Sequence, residues 1–211
     1  IAVLLGTTAC AAVRLQPQPG ALVYMKPNAR LFTYTGHHED VWIARLDGSR
    51  PRKLEAGVEP SVSPDGRYIA FGHDSQVLLE SVDGAGPVVL YTLHGTWPIL
   101  YDPPVWSPDS EHVAFETEQG LRVVEVFTRQ ASLLPSTNDF SFSPDSRRIV
   151  YEDRGDLFVV PASGGRPRLL TDDRKDYSPV WGKPGIAFVR FAHGPEGDVW
   201  LSDGRPRHAR R

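Results

Sequence analysis

Few side chains in this chain are placed to do chemistry. Four carboxylates, Glu59, Asp102, Asp139 and Asp176, each stand just before a short β-prone run that leads into a Pro-containing turn. If those runs are equivalent, the four gather around one opening, where like charges raise one another's pKa unless a cation or an Arg intervenes. Such a ring could ligate a cation through oxygen, receive a basic peptide, or stand as a solvated rim. It could also supply the acid and the base or nucleophile of glycoside cleavage. His37-His38-Glu39-Asp40 sets imidazoles beside carboxylates. Adjacent His residues are not a zinc spacing, and no Cys or second His pair completes a tetrahedron, so the reading is a solvated loop with no metal and no cofactor. There is no Gly-x-Ser-x-Gly elbow and no Ser-His-Asp order accompanied by a helix. Trp97, Tyr101 and His193 fall in irregular segments, where an exposed ring can anchor a partner. Cys10 is the only Cys.

The elements that would position these groups come from a repeat. Ser63-Pro64-Asp65-Gly66-Arg67-Tyr68-Ile69-Ala70-Phe71 returns as Ser107-Pro108-Asp109-Ser110-Glu111-His112-Val113-Ala114-Phe115 and as Ser143-Pro144-Asp145-Ser146-Arg147-Arg148-Ile149-Val150-Tyr151. Blurred copies stand at Pro27–Tyr34 and Trp181–Phe188. The closing aromatics, at 34, 71, 115, 151 and 188, are spaced by 37, 44, 36 and 37 residues. Pro presets φ for a turn, Asp bonds its own backbone and Gly accepts positive φ, so Pro-Asp-Gly joins two antiparallel strands. A third run follows in each copy (Val41–Ile43, Val77–Leu79, Leu121–Val124, Leu157–Val160, Val199–Leu201). Turn pairs such as Asp47-Gly48 and Asp203-Gly204 come next, and then a weaker fourth run. Four short strands per unit of about forty residues is the β-propeller pattern.

The expected fold is therefore an all-β propeller with five detectable four-stranded antiparallel blades, alone or as part of a six- or seven-bladed ring. Blades are expected at about 21–56, 57–92, 102–136, 137–173 and 176–209. In blade one the aliphatic–aromatic strand is assigned to Leu31-Phe32-Thr33-Tyr34 rather than to Leu22-Val23-Tyr24, because that keeps the Pro27 turn and the 37-residue step. In blade five the last strand is expected at Pro206-Arg207-His208. Trp106, Phe142 and Trp181, with Val62 in blade two, form one column before the turn. Trp42, Phe158 and Trp200 form another in the third strand. Their expected role is packing between blades.

The chain has 211 residues, 19 Gly, 19 Pro and a formal net charge of −3. That charge gives no argument for a nucleic-acid or anionic-membrane partner. Residues 1–20 read as the remnant of a signal peptide and a linker, Gln16-Pro17-Gln18-Pro19-Gly20. Thr7-Thr8-Ala9 before Cys10 is similar to a lipobox, which would make Cys10 a lipidation site and the membrane contact a lipid anchor. No stretch after residue 20 is long and apolar enough to span a bilayer.

At Trp106-Ser107-Pro108-Asp109, Ser63-Pro64-Asp65-Gly66 and Ser143-Pro144-Asp145 the sequence resembles the TolB-like propeller repeats of the bacterial envelope. The same repeat occurs in propellers attached to prolyl-oligopeptidase-type peptidases. Asp40-Val41-Trp42, Asp156-Leu157-Phe158 and Asp198-Val199-Trp200 resemble that family's third-strand opening. The resemblance covers about residues 21–205 and implies an exported protein, periplasmic or lipid-anchored. The chain shows five blades and no separate N-terminal domain, where TolB itself usually has six blades and such a domain. Fold does not dictate function. The leading expectation is a non-catalytic scaffold that binds a protein or peptide in the cell envelope through its loop-rich face and channel mouth. The alternative is the propeller of a hydrolase, either glycoside-acting through channel carboxylates or accessory to a peptidase.

Overall fold

The computed structural model describes residues 21–27, 39–45, 47–95, 100, 102–135, 137, 139–191, 196–205 and 209–210. Regular structure among them is entirely strand. β1 (Ala21–Pro27) pairs with β2 (Glu39–Arg45) along its whole length, Ala21 opposite Arg45 and Pro27 opposite Glu39. The other edge of β2 meets the first part of β3 (Arg52–Val62), with Ile43 opposite Arg52 and Glu39 opposite Gly57. β3 then runs on without interruption to pair with β4 (Tyr68–His73), Val58 opposite Gly72 and Val62 opposite Ile69. β5 (Gln76–Ser81) and β6 (Val88–Thr92) complete this six-stranded sheet, which holds blades one and two.

The crossing within β3 has a local cause. A Cβ on Gly57 would lie 2.6 Å from the Gly72 carbonyl oxygen and 2.7 Å from the Phe71 ring, so only Gly lets the two backbones approach there. Glu59 follows with φ 50°, inside the bulge between Val58 and Ser61 that redirects the strand.

Three separate four-stranded sheets follow. Blade three is β7 (Val105–Trp106), β8 (His112–Thr117), β9 (Gly120–Glu125) and β10 (Ala131–Leu133). Blade four is β11 (Phe140–Phe142), β12 (Arg148–Asp153), β13 (Asp156–Pro161) and β14 (Arg168–Leu169). Blade five is β15 (Asp176–Gly182), β16 (Gly185–Arg190), β17 (Asp198–Ser202) and β18 (Ala209–Arg210). Every sheet pairs its strands in chain order and antiparallel.

Two register expectations change. β2 has β1 on one side and β3 on the other, so Leu22-Val23-Tyr24 holds the second-strand place in blade one. Leu31–Tyr34 lies outside the described residues. The last strand of blade five is Ala209–Arg210, opposite Ser202 and Leu201; Pro206–His208 lies outside the described residues.

Strand alternation sends successive side chains to opposite faces of each blade, and each face meets a neighbour. Val41 and Ile43 pack against Val62, Ile69, Phe71 and Leu78, closing blade one on blade two. Ala70, Val77 and Leu79 point the other way, onto Trp106, Val113, Phe115 and Val124 of blade three. Ala114, Leu121 and Val123 meet Phe142, Ile149, Tyr151 and Val160 of blade four. Val150, Leu157 and Val159 meet Ile186, Phe188, Trp181 and Trp200 of blade five. The core is thus a series of borders between blades, and each fully buried Leu, Ile or Phe contributes roughly 1.5–3 kcal/mol. Trp106, Phe142 and Val62 are buried in these borders, and Phe158, Trp181 and Trp200 pack against them half-buried, while Trp42 of the expected second column is half-buried on β2.

The Ser-Pro-Asp turns carry their own hydrogen-bond set. Ser63, Ser107 and Ser143 donate their hydroxyls to Asp65, Asp109 and Asp145 Oδ1 at 2.6, 2.6 and 2.5 Å. Each of these hydroxyls also accepts the N–H five residues on, at Tyr68, His112 and Arg148. Neighbouring turns are stapled together: the Asp65 N–H donates to Ser110 Oγ and the Asp109 N–H to Ser146 Oγ, both at 3.0 Å. Those staples fix which ends of the blades share one face of the disc.

Candidate binding face and channel mouth

The tight turns between first and second strands, and between third and fourth, lie on one face. The second–third loops and the crossings between blades lie on the other. The charges follow this division. The turn face is mixed, with exposed Arg50, Arg67, Arg129, Arg147, Arg166, Lys183 and Arg205 beside exposed Asp47, Asp65, Asp83, Asp109, Glu111, Asp145 and Asp203. Its carboxylates at Asp47, Asp65, Asp109, Asp145 and Asp203 each accept a backbone N–H two residues on. The Ser143 hydroxyl is the main cause that holds the Asp145 carboxyl below its usual pKa.

The loop face is acidic. Glu55, Glu59, Asp74, Asp102, Glu116, Glu118, Asp139, Glu152, Asp153, Asp156, Asp172 and Asp173 lie at its loops and crossings, against Arg154, Arg174, Lys175 and Arg190. Several of these carboxylates shape the loops. Glu116 accepts the Thr137 N–H at 3.1 Å, Glu152 accepts the Gly155 N–H, and Asp156 accepts the Arg174 N–H at 2.8 Å. Asp74, Asp102, Glu118 and Asp172 are exposed.

Of the four carboxylates singled out in the sequence, three stand on this face. Glu59 is half-buried at the β3 bulge and Asp102 is exposed before β7. Asp139 is half-buried before β11, and its Oδ2 accepts a hydrogen bond from the Ser178 hydroxyl at 3.3 Å. Asp176 sits differently. Its side chain is 0% exposed, and its two oxygens accept from Arg190 Nε and Nη2 at 2.6 and 2.7 Å. Arg190 Nη2 also reaches Asp173 at 2.6 Å, and the guanidinium lies 4.4 Å over the Trp200 ring and 5.5 Å over Phe188. Hydrogen bonding to Asp176 raises the Arg190 pKa above its ordinary value. The one trace of this cluster in the sequence is an Arg ending the aliphatic–aromatic run of β16.

The four carboxylates do not share one register. Glu59 and Asp139 stand four places before the turn Ser, Asp102 five, and Asp176 six before Gly182 in the equivalent place. Asp102 and Asp139 stand outside the strands, before β7 and β11, and Glu59 sits in the β3 bulge, whereas Asp176 lies inside β15, paired with Arg190. Trp97, Tyr101, His193 and Cys10 lie outside the described residues, as do His37 and His38. Among the described residues no group of three His, Cys, Asp or Glu side chains could hold a metal ion. No helix among them is long and apolar enough to cross a membrane.

No family model matches the chain. An uncharacterized protein of Agrobacterium fabrum (strain C58) is 28% identical over 106 residues, which is 44% of this chain and 36% of that protein. The chain therefore spans about a third of the curated relative it matches. A putative TolB from Agrobacterium tumefaciens superposes with a TM-score of 0.53 at 17% identity, over 90% of this chain and 76% of that one. The β-propeller domain of the Trilobed protease from Pyrococcus furiosus gives 0.53 at 12% identity, over 88% and 79%. The fold is a TolB-like β-propeller. An oligogalacturonate lyase from Vibrio parahaemolyticus shares it with a TM-score of 0.61 at 14% identity, over 86% of this chain and 58% of the lyase. At these identities the likeness is one of fold.

Proposed function

We propose that this propeller is a non-catalytic scaffold of the bacterial cell envelope that binds a basic protein or peptide segment on its acidic loop face, around the channel mouth. The observation that carries the reading is the segregation of charge. A chain with a formal net charge of −3 places its excess of carboxylates on the face with irregular loops, while the exposed acids and bases of the turn face are close to balanced. Rigid scaffolds concentrate recognition in such loops, and a one-signed face steers an oppositely charged partner. Glu59, Asp102 and Asp139 supply the carboxylates at the mouth. Asp176 supports them from inside by fixing Arg190. Trp97, Tyr101 and His193 belong to the same reading as contact residues, on sequence grounds. Residues 21–211 form the binding propeller in this reading. Residues 1–20 are the export signal and linker, and Cys10 is the lipid anchor on the outer side of the cytoplasmic membrane.

A Lys/Arg-rich unstructured peptide, followed by fluorescence anisotropy, tests the face. It should bind, lose affinity as salt rises, and bind several-fold more weakly after Glu59→Lys, Asp102→Lys and Asp139→Lys together. Asp109→Lys on the turn face should leave binding unchanged. Equal loss from both faces, or no salt dependence, would sink the proposal. A Glu59→Gln, Asp139→Asn pair addresses the hydrolase alternative: turnover present in the parent and lost in the pair would show that the mouth is catalytic.

A further inference from the structure

We propose that the rim groove between blades two and three binds the C-terminal end of an apolar peptide segment, its terminal carboxylate on Arg122. Strand register puts Arg122 on the face of blade three that meets blade two, in the row Phe115–Arg122–Leu133. In the other blades the same place holds Trp42, Leu78, Phe158 and Trp200. Here a charge stands where its counterparts are apolar. The guanidinium lies 5.5 Å from the centre of the Tyr91 ring, and Nη2 donates to Gln119 Oε1 at 2.5 Å. Nε is buried without an acceptor. All 26 Asp and Glu residues of the chain are among the described residues, and none forms an ion pair with Arg122. A half-buried guanidinium that has no carboxylate of its own is matched to one from outside, which its planar fork can take with two parallel bonds.

Around this cation the rim is apolar and open. In three borders the outer strand of one blade ties down the next blade's turn. Arg52 Nη2 donates to the Val82 carbonyl at 3.0 Å, Ser132 Oγ to the Ser163 carbonyl at 2.8 Å, and Arg168 Nη2 to the Gly204 carbonyl at 2.7 Å. Arg52, Ser132 and Arg168 share one register place, and in blade two that place is Val88. Val88 has no donor to give and is 43% exposed, and Leu133 across the border is 48% exposed. The groove so left has Val88 and Tyr91 of β6 on one wall, Ala131 and Leu133 of β10 on the other, and Arg122 between them.

The far end of the groove decides that a chain terminus fits. The Leu93 N–H donates to the Ser75 carbonyl at 2.7 Å, and the Leu93 side chain is buried in the border. Gly95 then packs on the Glu118 carboxylate of blade three with no room for a Cβ. The backbone thus crosses the border just beyond Tyr91 and closes the groove at the loop face. A segment entering from the turn side between Val88 and Ala131 must stop at Arg122. Glu125, the acid on the same strand, is engaged in its own turn, where it accepts the Phe127 and Thr128 N–H groups. Capture of a terminal carboxylate is an established mode of peptide recognition. This groove lies apart from the acidic mouth and does not depend on the reading given for it.

A fluorescein-labelled peptide ending in Val-Leu-Val with a free carboxylate tests the groove by anisotropy. It should bind the full chain, and its C-terminal amide should bind roughly tenfold more weakly. Arg122→Leu installs the residue type of Leu78; it should keep Tm at or above that of the parent and erase the difference between the two peptides. In the parent, the Arg122 Nε–H resonance should move on adding the free acid and stay in place with the amide. Leu133→Asp should weaken both peptides, whereas Glu59→Lys with Asp139→Lys at the mouth should change neither. No binding of either peptide, equal binding of acid and amide, or a difference that survives Arg122→Leu would overturn the proposal. An amidated peptide with Asp in its middle that binds as well as the free acid would overturn the chain-end assignment and give Arg122 to an acidic side chain instead.

Discussion

Arg190 shows how much one side chain can hold together. It joins Asp176, the crossing residue Asp173 and the rings of Trp200 and Phe188 at the border of blades four and five. Removing one partner of a buried pair leaves the other charge desolvated and alone. Arg190→Ala should therefore cost about 3–5 kcal/mol in urea unfolding. Arg190→Met combined with Asp176→Leu should recover most of that loss, because no stranded charge remains. Tyr151 supplies a pH test. It stacks on Phe158 at 5.5 Å in the border of blades three and four, and burial pushes its pKa from 10.0 up to about 12. A raised folded pKa means that the unfolded chain gives up this proton first as pH climbs. The stabilising contribution is complete below about 10 and disappears as pH passes from about 10 to about 12. Alkaline unfolding followed by tyrosinate absorbance should show this fall, and Tyr151→Phe should flatten it. The residue scale is also where sequence reading fell short. Asp176 looked like its three companions because composition was visible and register was not. Its place inside β15, beyond the bulge between Tyr177 and Val180, and its register partner Arg190, fourteen residues later, are properties of the paired sheet.

At the scale of elements, the turns and inner strands were the most legible. Phe71, Phe115, Tyr151 and Phe188, spaced by the repeat, are all at or below 2% exposure. Pro-Asp-Gly places Gly66 at φ 73°, while Ser110 and Ser146 hold the same place at φ 65° and 61°. Those two serines accept the strain in exchange for the staples to Asp65 and Asp109. Ser146→Gly relieves the backbone and loses only the hydrogen bond, whereas Ser146→Ala loses the bond and keeps the strain. Ala should be the more damaging by about 0.5–1 kcal/mol in matched chemical denaturation. Trp106 fills the border of blades two and three and donates Nε1–H to the Ser61 carbonyl at 3.3 Å. Trp106→Ala should cost about 3–5 kcal/mol, and an unchanged Tm would contradict its placement in the core. Blade one was harder to read because Leu22-Val23-Tyr24 and Leu31-Phe32-Thr33-Tyr34 carry the same local pattern. Strand pairing is decided by a distant partner, and here β2 chooses β1.

For the whole molecule, the repeat made the architecture legible, since apolar rows on both faces of each unit make sense only between other units. The division of charge between two faces was less visible, because it depends on which hairpin ends point the same way and appears only once the turns are aligned. The borders are also unequal. From blade three to blade four one strand ends at Leu133 and the next begins at Phe140, and from four to five one ends at Leu169 and the next begins at Asp176, so no strand is shared. From blade one to blade two it never leaves β-pairing, because β3 serves both. The polypeptide should therefore tolerate division at some seams and not at others. Co-expressed halves 21–135 and 136–211 should find each other and co-purify as a non-covalent complex, whereas 21–56 and 57–211, severed in the middle of a shared strand, should not.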